Sequence, residues 1–108
     1  MPLYAATPQV ILGNEIVPER MSVTLTCNVR AVPVATFAEI VRLCGEERVQ
    51  LVNDTNERML TTLSVMYSFI PIFSDDDGAH FQCLSINDYG VATDNSTLTV
   101  QGRLYIYV

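Results

Sequence analysis

The chain has 108 residues, 49% hydrophobic and 17% charged, which is typical of one packed domain and excludes a disordered segment. Its net charge is −6, and because it has neither a basic patch nor any lysine, nucleic acid and anionic lipid are not expected as partners. No apolar run approaches the ~20 residues that cross a bilayer, so direct membrane insertion is not expected either.

The first strand signal lies some twenty residues into the chain. The initial residues Met1–Tyr4 lack the basic and apolar regions of a signal peptide, so we expect Met1 to be either a native cytosolic start or an initiator added to a module of a larger protein. Turn residues follow at Gly13-Asn14 and at 17–20. Apolar residues then occupy every second position and predict a half-buried strand that contains Val23, Leu25, Cys27 and Val29.

The rest of the chain repeats this pattern. The segment 37–43 is the best helix candidate, but it is short and rich in branched side chains, so we predict a strand. Alternation of period two predicts further strands at 63–69, 79–83 and 98–100. Turn residues separate these segments at 44–47, 53–56, 75–78 and 87–90. Several short strands with this spacing predict an antiparallel sandwich or barrel.

The three cysteines differ in their surroundings. Cys27 and Cys83 each lie on the apolar side of a predicted strand, so both are expected to point into the space between two sheets. They form either an inter-sheet disulfide or two unlinked buried thiols. Cys44 opens a turn and is expected outside the core, as a free thiol or as a link between two chains.

Four segments in order resemble the immunoglobulin superfamily. Asp77-Gly78-Ala79-His80-Phe81-Gln82-Cys83 resembles the D-x-A-x-Y-x-C signature that ends at the second cysteine of these domains. The segment 23–27 resembles the strand of the first cysteine, and 83–90 is similar to the C-x-x-x-N-x-x-G hairpin of the intermediate type (I-set). The segment 96–100 fits the closing strand.

The resemblance implies an all-β fold, an immunoglobulin-like two-sheet antiparallel Greek-key sandwich. It assigns 1–7 to an N-terminal lead-in, 8–101 to the I-set domain and 102–108 to a tail or linker. The family's strand-C tryptophan is absent, so Ile40 or Val41 must fill its site, and we favour Ile40. Phe81 replaces the corner tyrosine, which keeps the ring packing and loses a hydroxyl hydrogen bond.

Few residues suggest chemistry. The resemblance implies a structural ion pair between Arg42 and Asp77. We favour this role for Asp77, with Asp75 and Asp76 capping an exposed turn, over a calcium site in the run 75–77. His80 is the only histidine and is expected to face solvent as a bystander. With no clustered ligands and no nucleophile–base pair, we expect no metal, no cofactor and no catalysis.

Two sequence patterns suggest a compartment. Asn53-Asp54-Thr55 and Asn95-Ser96-Thr97 are acceptor patterns for N-linked glycans, and with the expected disulfide they favour an extracellular origin. We therefore expect a non-catalytic protein-binding module from the ectodomain of a cell-surface adhesion or recognition receptor. The alternatives are a structural I-set module of the muscle cytoskeleton and a secreted immune-type recognition domain.

The alternation of inward and outward side chains along the strands also predicts an interaction surface. If Ile40 points inward, an exposed apolar cluster is expected at Val41, Leu43, Leu84 and Ile86. We expect this cluster to bind a partner protein, or a second copy of the chain in a weak homodimer. A register shift by one residue, a neighbouring domain or the alternating tail 103–108 would each cover these residues instead. A glycan on Asn95 would lie on the same face.

Overall fold

The computed structural model describes residues 6–102 as two β-sheets packed face to face. All but the first residue of the predicted tail 102–108 and most of the predicted lead-in 1–7 lie outside the described residues. Sheet one has the strand order β1-β3-β6, and sheet two has the order β2-β8-β7-β4-β5. The elements in chain order are β1 (Gln9–Leu12), β2 (Glu15–Pro18), β3 (Val23–Arg30), β4 (Phe37–Cys44), β5 (Glu47–Thr55), β6 (Thr62–Phe69), α1 (Phe73–Asp76), β7 (His80–Asn87) and β8 (Gly90–Gln101).

The core lies between the sheets and follows the period-two pattern. Along β3, β6 and β7, buried apolar residues alternate with more exposed ones, because successive strand side chains point to opposite faces. Cys27 of β3 and Cys83 of β7 form a disulfide at the centre of the core, with their Cα atoms 6.2 Å apart. Ile40 is fully buried directly beside Cys83, so it fills the position where the family has tryptophan.

The first strand changes sheet between β1 and β2. β1 pairs antiparallel with β3, whereas β2 pairs parallel with β8, which departs from the purely antiparallel prediction. The chain crosses from sheet one to sheet two at Gly13-Asn14 without reversing its direction. β2 therefore runs in the same direction as its neighbour β8. Side chains hold the crossing, because Asn14 Oδ1 accepts a hydrogen bond from Thr97 N and Asp94 Oδ2 accepts one from Leu12 N.

The hairpin β4–β5 is longer than predicted. Gly45 forms its turn with a φ of 63°, a conformation that favours glycine. The turn predicted at 53–56 is wrong for its first three residues, because β5 continues to Thr55 by pairing with β4. Leu51 is an extra residue in β5, since Ile40 lies opposite Val52 and the next residue of β4 lies opposite Gln50. This bulge changes the facing of β5 along its length.

Sheet one is narrower than the immunoglobulin pattern, in which strands A, B, E and D form one sheet. β1, β3 and β6 correspond to A, B and E, and the described residues contain no strand in the position of D. Residues 56–61 join β5 to β6 directly. Asn56 fixes this short loop, because its Nδ2 donates to the carbonyl oxygens of Ala35 and Leu60, each at 2.8 Å.

Different contacts stabilise the two ends of the sandwich. At the upper end, Asn87 Nδ2 donates to the carbonyl oxygens of Ala6 and Pro33, and its Oδ1 accepts from Tyr89 N. At the lower end, α1 packs beside the end of β8, and the described chain leaves at Gly102. Within residues 6–102, no helix is long and apolar enough to cross a bilayer.

Candidate protein-binding face

The outer face of sheet two contains all four residues of the predicted interaction surface. Ile40 and Cys83 point into the core, so their chain neighbours on β4 and β7 point away from it. The strand register places Val41 beside Gln82, and Leu43 beside His80. The predicted facing of these strands is therefore correct.

A polar network crosses the middle of this face. Gln82 Nε2 donates to Asn95 Oδ1 at 2.9 Å, and Arg48 Nη2 donates to Gln82 Oε1 at 2.8 Å. Arg48 also lies 3.8 Å from Glu39 Oε1, and Gln50 Nε2 donates to Glu39 Oε2 at 2.7 Å. The five side chains, contributed by four adjacent strands, form a continuous belt across the face.

Val41 lies beneath this belt and is only 2% exposed, so the prediction that it belongs to an exposed apolar cluster is wrong. Its cross-strand neighbours are Gln50 and Gln82, two long side chains of the belt. The aliphatic parts of such side chains cover apolar surface while their polar ends bond to each other. Val41 is therefore buried on the outside of the sheet rather than in the core.

The belt divides the remaining apolar residues into two groups. Leu43 lies below it, beside His80 and Arg48, and is half-buried. Leu84 and Ile86 lie above it, also half-buried, and they adjoin two apolar residues that the predicted surface did not include. Phe37 pairs with Ile86 on one side and Val91 pairs with it on the other. We call this group, Phe37, Leu84, Ile86 and Val91, the apolar corner.

Val91 is the most exposed member of the apolar corner, at 52%. It was missed because it stands alone between turn residues and small residues in the sequence. Its position across the β7–β8 hairpin from Ile86 is the signal that could have identified it. The corner opens towards the upper end of the domain, where the exposed Tyr89 lies in the turn of the same hairpin.

Both glycan acceptor patterns lie on this outer face. Asn53 of β5 pairs with Glu39 and Asn95 of β8 pairs with Gln82, and both asparagines are exposed. Asn95 uses its Oδ1 in the belt, so this bond leaves Nδ2, the atom that carries a glycan, uninvolved. Asn53 lies on β5, one strand away from Phe37 of β4, whereas Asn95 lies on β8, the strand of Val91, four residues further along. Glycans there would frame the corner.

The predicted ion pair of Arg42 has a different partner. Arg42 Nη1 lies 2.6 Å from Asp76 Oδ1, and its Nη2 donates to the carbonyl oxygen of Asp75. Asp77 does not pair with Arg42; its Oδ1 accepts a hydrogen bond from Val100 N. The reason is the one-turn helix α1, which was not predicted and which turns Asp76 back so that its Oδ2 accepts from Ile72 N.

This geometry predicts which acidic residue is coupled to Arg42. In a double-mutant cycle, we expect Arg42→Ala and Asp76→Ala to show a coupling energy of about 1 kcal/mol or more, because both side chains are mostly buried and in contact. The matched cycle with Asp77→Ala is expected to give less than about 0.3 kcal/mol. Urea unfolding of the six proteins measures both values. Equal coupling in the two cycles would contradict the structure.

The remaining candidate residues, Cys44 and His80, are both exposed. Cys44 is exposed at the end of β4. His80 is exposed, and its Nδ1 lies 3.2 Å from Thr97 Oγ1. Among the described residues, no three acidic, histidine or cysteine side chains are close enough together to hold a metal ion.

Comparison with known proteins gives the fold an external reference. Neither a family model nor a curated protein sequence matches the chain. Solved structures do match: titin M4 has 21% identity, covers 92% of this chain and all of its own, and gives a TM-score of 0.58. A chain of the titin M10–obscurin-like 1 Ig complex has 16% identity, covers 94% of this chain and all of its own, and gives 0.59.

Murine CRIg has 10% identity, covers 87% of this chain and 98% of its own, and gives a TM-score of 0.58. At these identities the likeness concerns the fold, and it extends over nearly the whole chain. Two packed β-sheets joined by a central disulfide confirm the predicted all-β sandwich. The chain therefore has the immunoglobulin-like fold.

Proposed function

We propose that this chain is an extracellular protein-recognition module of a cell-surface receptor and that it binds its partner through the apolar corner. The corner carries the proposal. A sheet face that meets only water is normally polar, and the rest of this face follows that rule through its belt. Four adjacent apolar residues on such a face favour contact with another protein.

Two observations support the extracellular location. The disulfide between Cys27 and Cys83 belongs to an oxidising compartment, and cytosolic domains rarely retain such a bond. Both acceptor asparagines are exposed on one face, as glycosylated asparagines must be. The muscle-cytoskeleton alternative requires three reduced cysteines and no glycan.

The location is tested on the chain isolated from its native source without reductant. We expect one reactive thiol per chain, from Cys44, and a mass that falls after enzymatic removal of N-linked glycans. Expression behind a signal peptide in mammalian cells assigns the glycans, because Asn53→Gln and Asn95→Gln should each remove one. Three reactive thiols and an unchanged mass would favour the cytoskeletal alternative.

The binding surface is tested with beads coated with the domain and applied to a panel of intact cell lines. We expect the double variant Leu84→Asp with Val91→Asp to lose at least tenfold in bead binding, because it places two charges in the apolar corner. Thr99→Asp is the matched control, since it adds charge on the exposed side of the same strand, β8, far from the corner. All variants should keep the parent's melting temperature. Equal losses from the control, or none from the double variant, would overturn this surface.

A further inference from the structure

We propose that two copies of this chain pair through the free edge of β6 and so form one continuous six-stranded sheet, β1-β3-β6-β6-β3-β1. The starting observation is that β6 ends sheet one. The immunoglobulin pattern places strand D against this edge, and here residues 56–61 are too short a connection to supply it. Within residues 6–102, no other backbone pairs with the outward side of β6.

β6 differs from the other three sheet edges in lacking the usual protection against such pairing. It pairs with β3 over eight residues without a bulge, from Val23 opposite Phe69 to Arg30 opposite Thr62. β5 has a bulge at Leu51 and three charged residues, and β2 contains a glutamate and a proline. β1 has only four residues. Bulges, charges and proline are the features that prevent one sheet edge from pairing with another. β6 is therefore the edge strand most open to pairing with a second chain.

Charge favours this edge for self-association in particular. Two copies of a chain with a net charge of −6 repel each other, so a self-interface must keep carboxylates apart. The sequence of β6, Thr-Leu-Ser-Val-Met-Tyr-Ser-Phe, contains no charged residue. Its cross-strand partners on the outer face of β3 are mainly threonine and asparagine, and Thr24 and Asn28 hydrogen-bond to serines of β6.

The alternation of inward and outward side chains along β6 restricts the register in which two copies can pair. Directly opposed side chains of paired strands point to the same face of a sheet, so a continuous sheet with both cores on one side needs inward residues such as Leu63 and Val65 opposite inward residues of the other copy. An antiparallel pair with its two-fold axis at Met66 satisfies this rule. It places Met66 against its own copy and each flanking serine, Ser64 and Ser68, against a serine of the partner copy. Met66 is 60% exposed in the single chain, so this register buries the most apolar surface on the outer side.

The expected dimer is weak. Edge pairing over seven or eight residues buries less area than the roughly 1,600 Å² of a standard protein interface. We therefore expect a monomer at low concentration and a reversible dimer at high concentration. This association does not depend on the apolar corner, which lies on the other sheet.

Cross-linking tests the pairing directly. The full 108-residue chain is used with Cys44→Ser, so that the free thiol cannot link two chains. In this background, Met66→Cys should form a disulfide-linked dimer in air, because directly opposed residues of antiparallel strands have Cα atoms about 4.5–5.5 Å apart, within disulfide range. Ser64→Cys should not, since its partner is Ser68. Val49→Cys on the edge of β5 is the second control and should also stay monomeric.

Analytical ultracentrifugation tests the reversible dimer. The Cys44→Ser chain should rise from 12.0 kDa towards twice that mass with concentration, and Met66→Lys should weaken the dimer about tenfold by opposing two like charges. Val49→Lys should change nothing, although Val49 is also exposed on an edge strand. A monomer at about millimolar concentration together with no link at residue 66 overturns the proposal. So does a dimer that is broken by Val49→Lys or by the corner variant Leu84→Asp with Val91→Asp.

Discussion

Replacing Cys27 and Cys83 together by alanine is expected to lower the free energy of unfolding by about 4 kcal/mol. The bond joins residues 56 positions apart, and on the loop-entropy model releasing a loop of that length adds this much conformational freedom to the unfolded chain. Since domains of this size are stable by only about 5–15 kcal/mol, the variant should be close to unfolding at 37 °C. Urea titration at 25 °C measures the loss.

The control for this variant is Cys44→Ser. Cys44 is exposed and outside the disulfide, so its replacement should change the free energy of unfolding by less than about 0.5 kcal/mol. A loss of under about 1 kcal/mol in the double variant would mean that the sandwich does not depend on the bond. Packing of the surrounding core would then carry the stability alone.

Phe81→Ala is expected to destabilise the domain by about 3–5 kcal/mol, the range found when large aromatic side chains are removed from cores. Phe81 is 1% exposed, and its ring centroid lies 6.0 Å from that of Phe69. The guanidinium of Arg42 lies 5.8 Å from the same ring, so the substitution also removes a contact that orients the ion pair with Asp76. Thermal and urea unfolding measure the effect.

Two comparisons make this result specific to the buried ring. Phe81→Leu keeps most of the volume and should cost less than half as much as the alanine variant. Phe73→Ala makes the same deletion at an exposed ring of the lower end and should cost no more than about 1.5 kcal/mol. If Phe73→Ala were the more damaging of the two alanine variants, the assignment of the core would be wrong.

Alternation and residue type were sufficient to predict the inner layer of this domain. Successive side chains of a strand point to opposite faces, so alternation places Phe81 and the two cysteines in the core, whereas the choice of Ile40 over Val41 rested on the family resemblance. The four segments that resemble immunoglobulin domains implied the two-sheet sandwich. These features depend on local sequence, which is why they could be predicted without knowledge of the sheet order.

The outer face could be predicted only in part, because its exposure depends on side chains from distant segments. Val41 is buried by Gln50 and Gln82, which reach it only once β5 and β7 flank β4. The bulge at Leu51 shifts the facing of β5, and no residue type in that segment demands it. The partner of Arg42 was displaced from Asp77 to Asp76 by a single helical turn, which is too short to give a periodic signal.

The crossing of the first strand from one sheet to the other bears on how this domain responds to tension. Ala6 lies at the upper end and Gly102 at the lower end, and β2 runs parallel to β8 over four residue pairs. A force that pulls these ends apart loads the hydrogen bonds of that pair together in shear, rather than one after another as in an unzipping hairpin. When they break, the disulfide still closes the chain between Cys27 and Cys83. Only the segments on either side of the bond can then extend, so the length released under load is short until the bond is reduced.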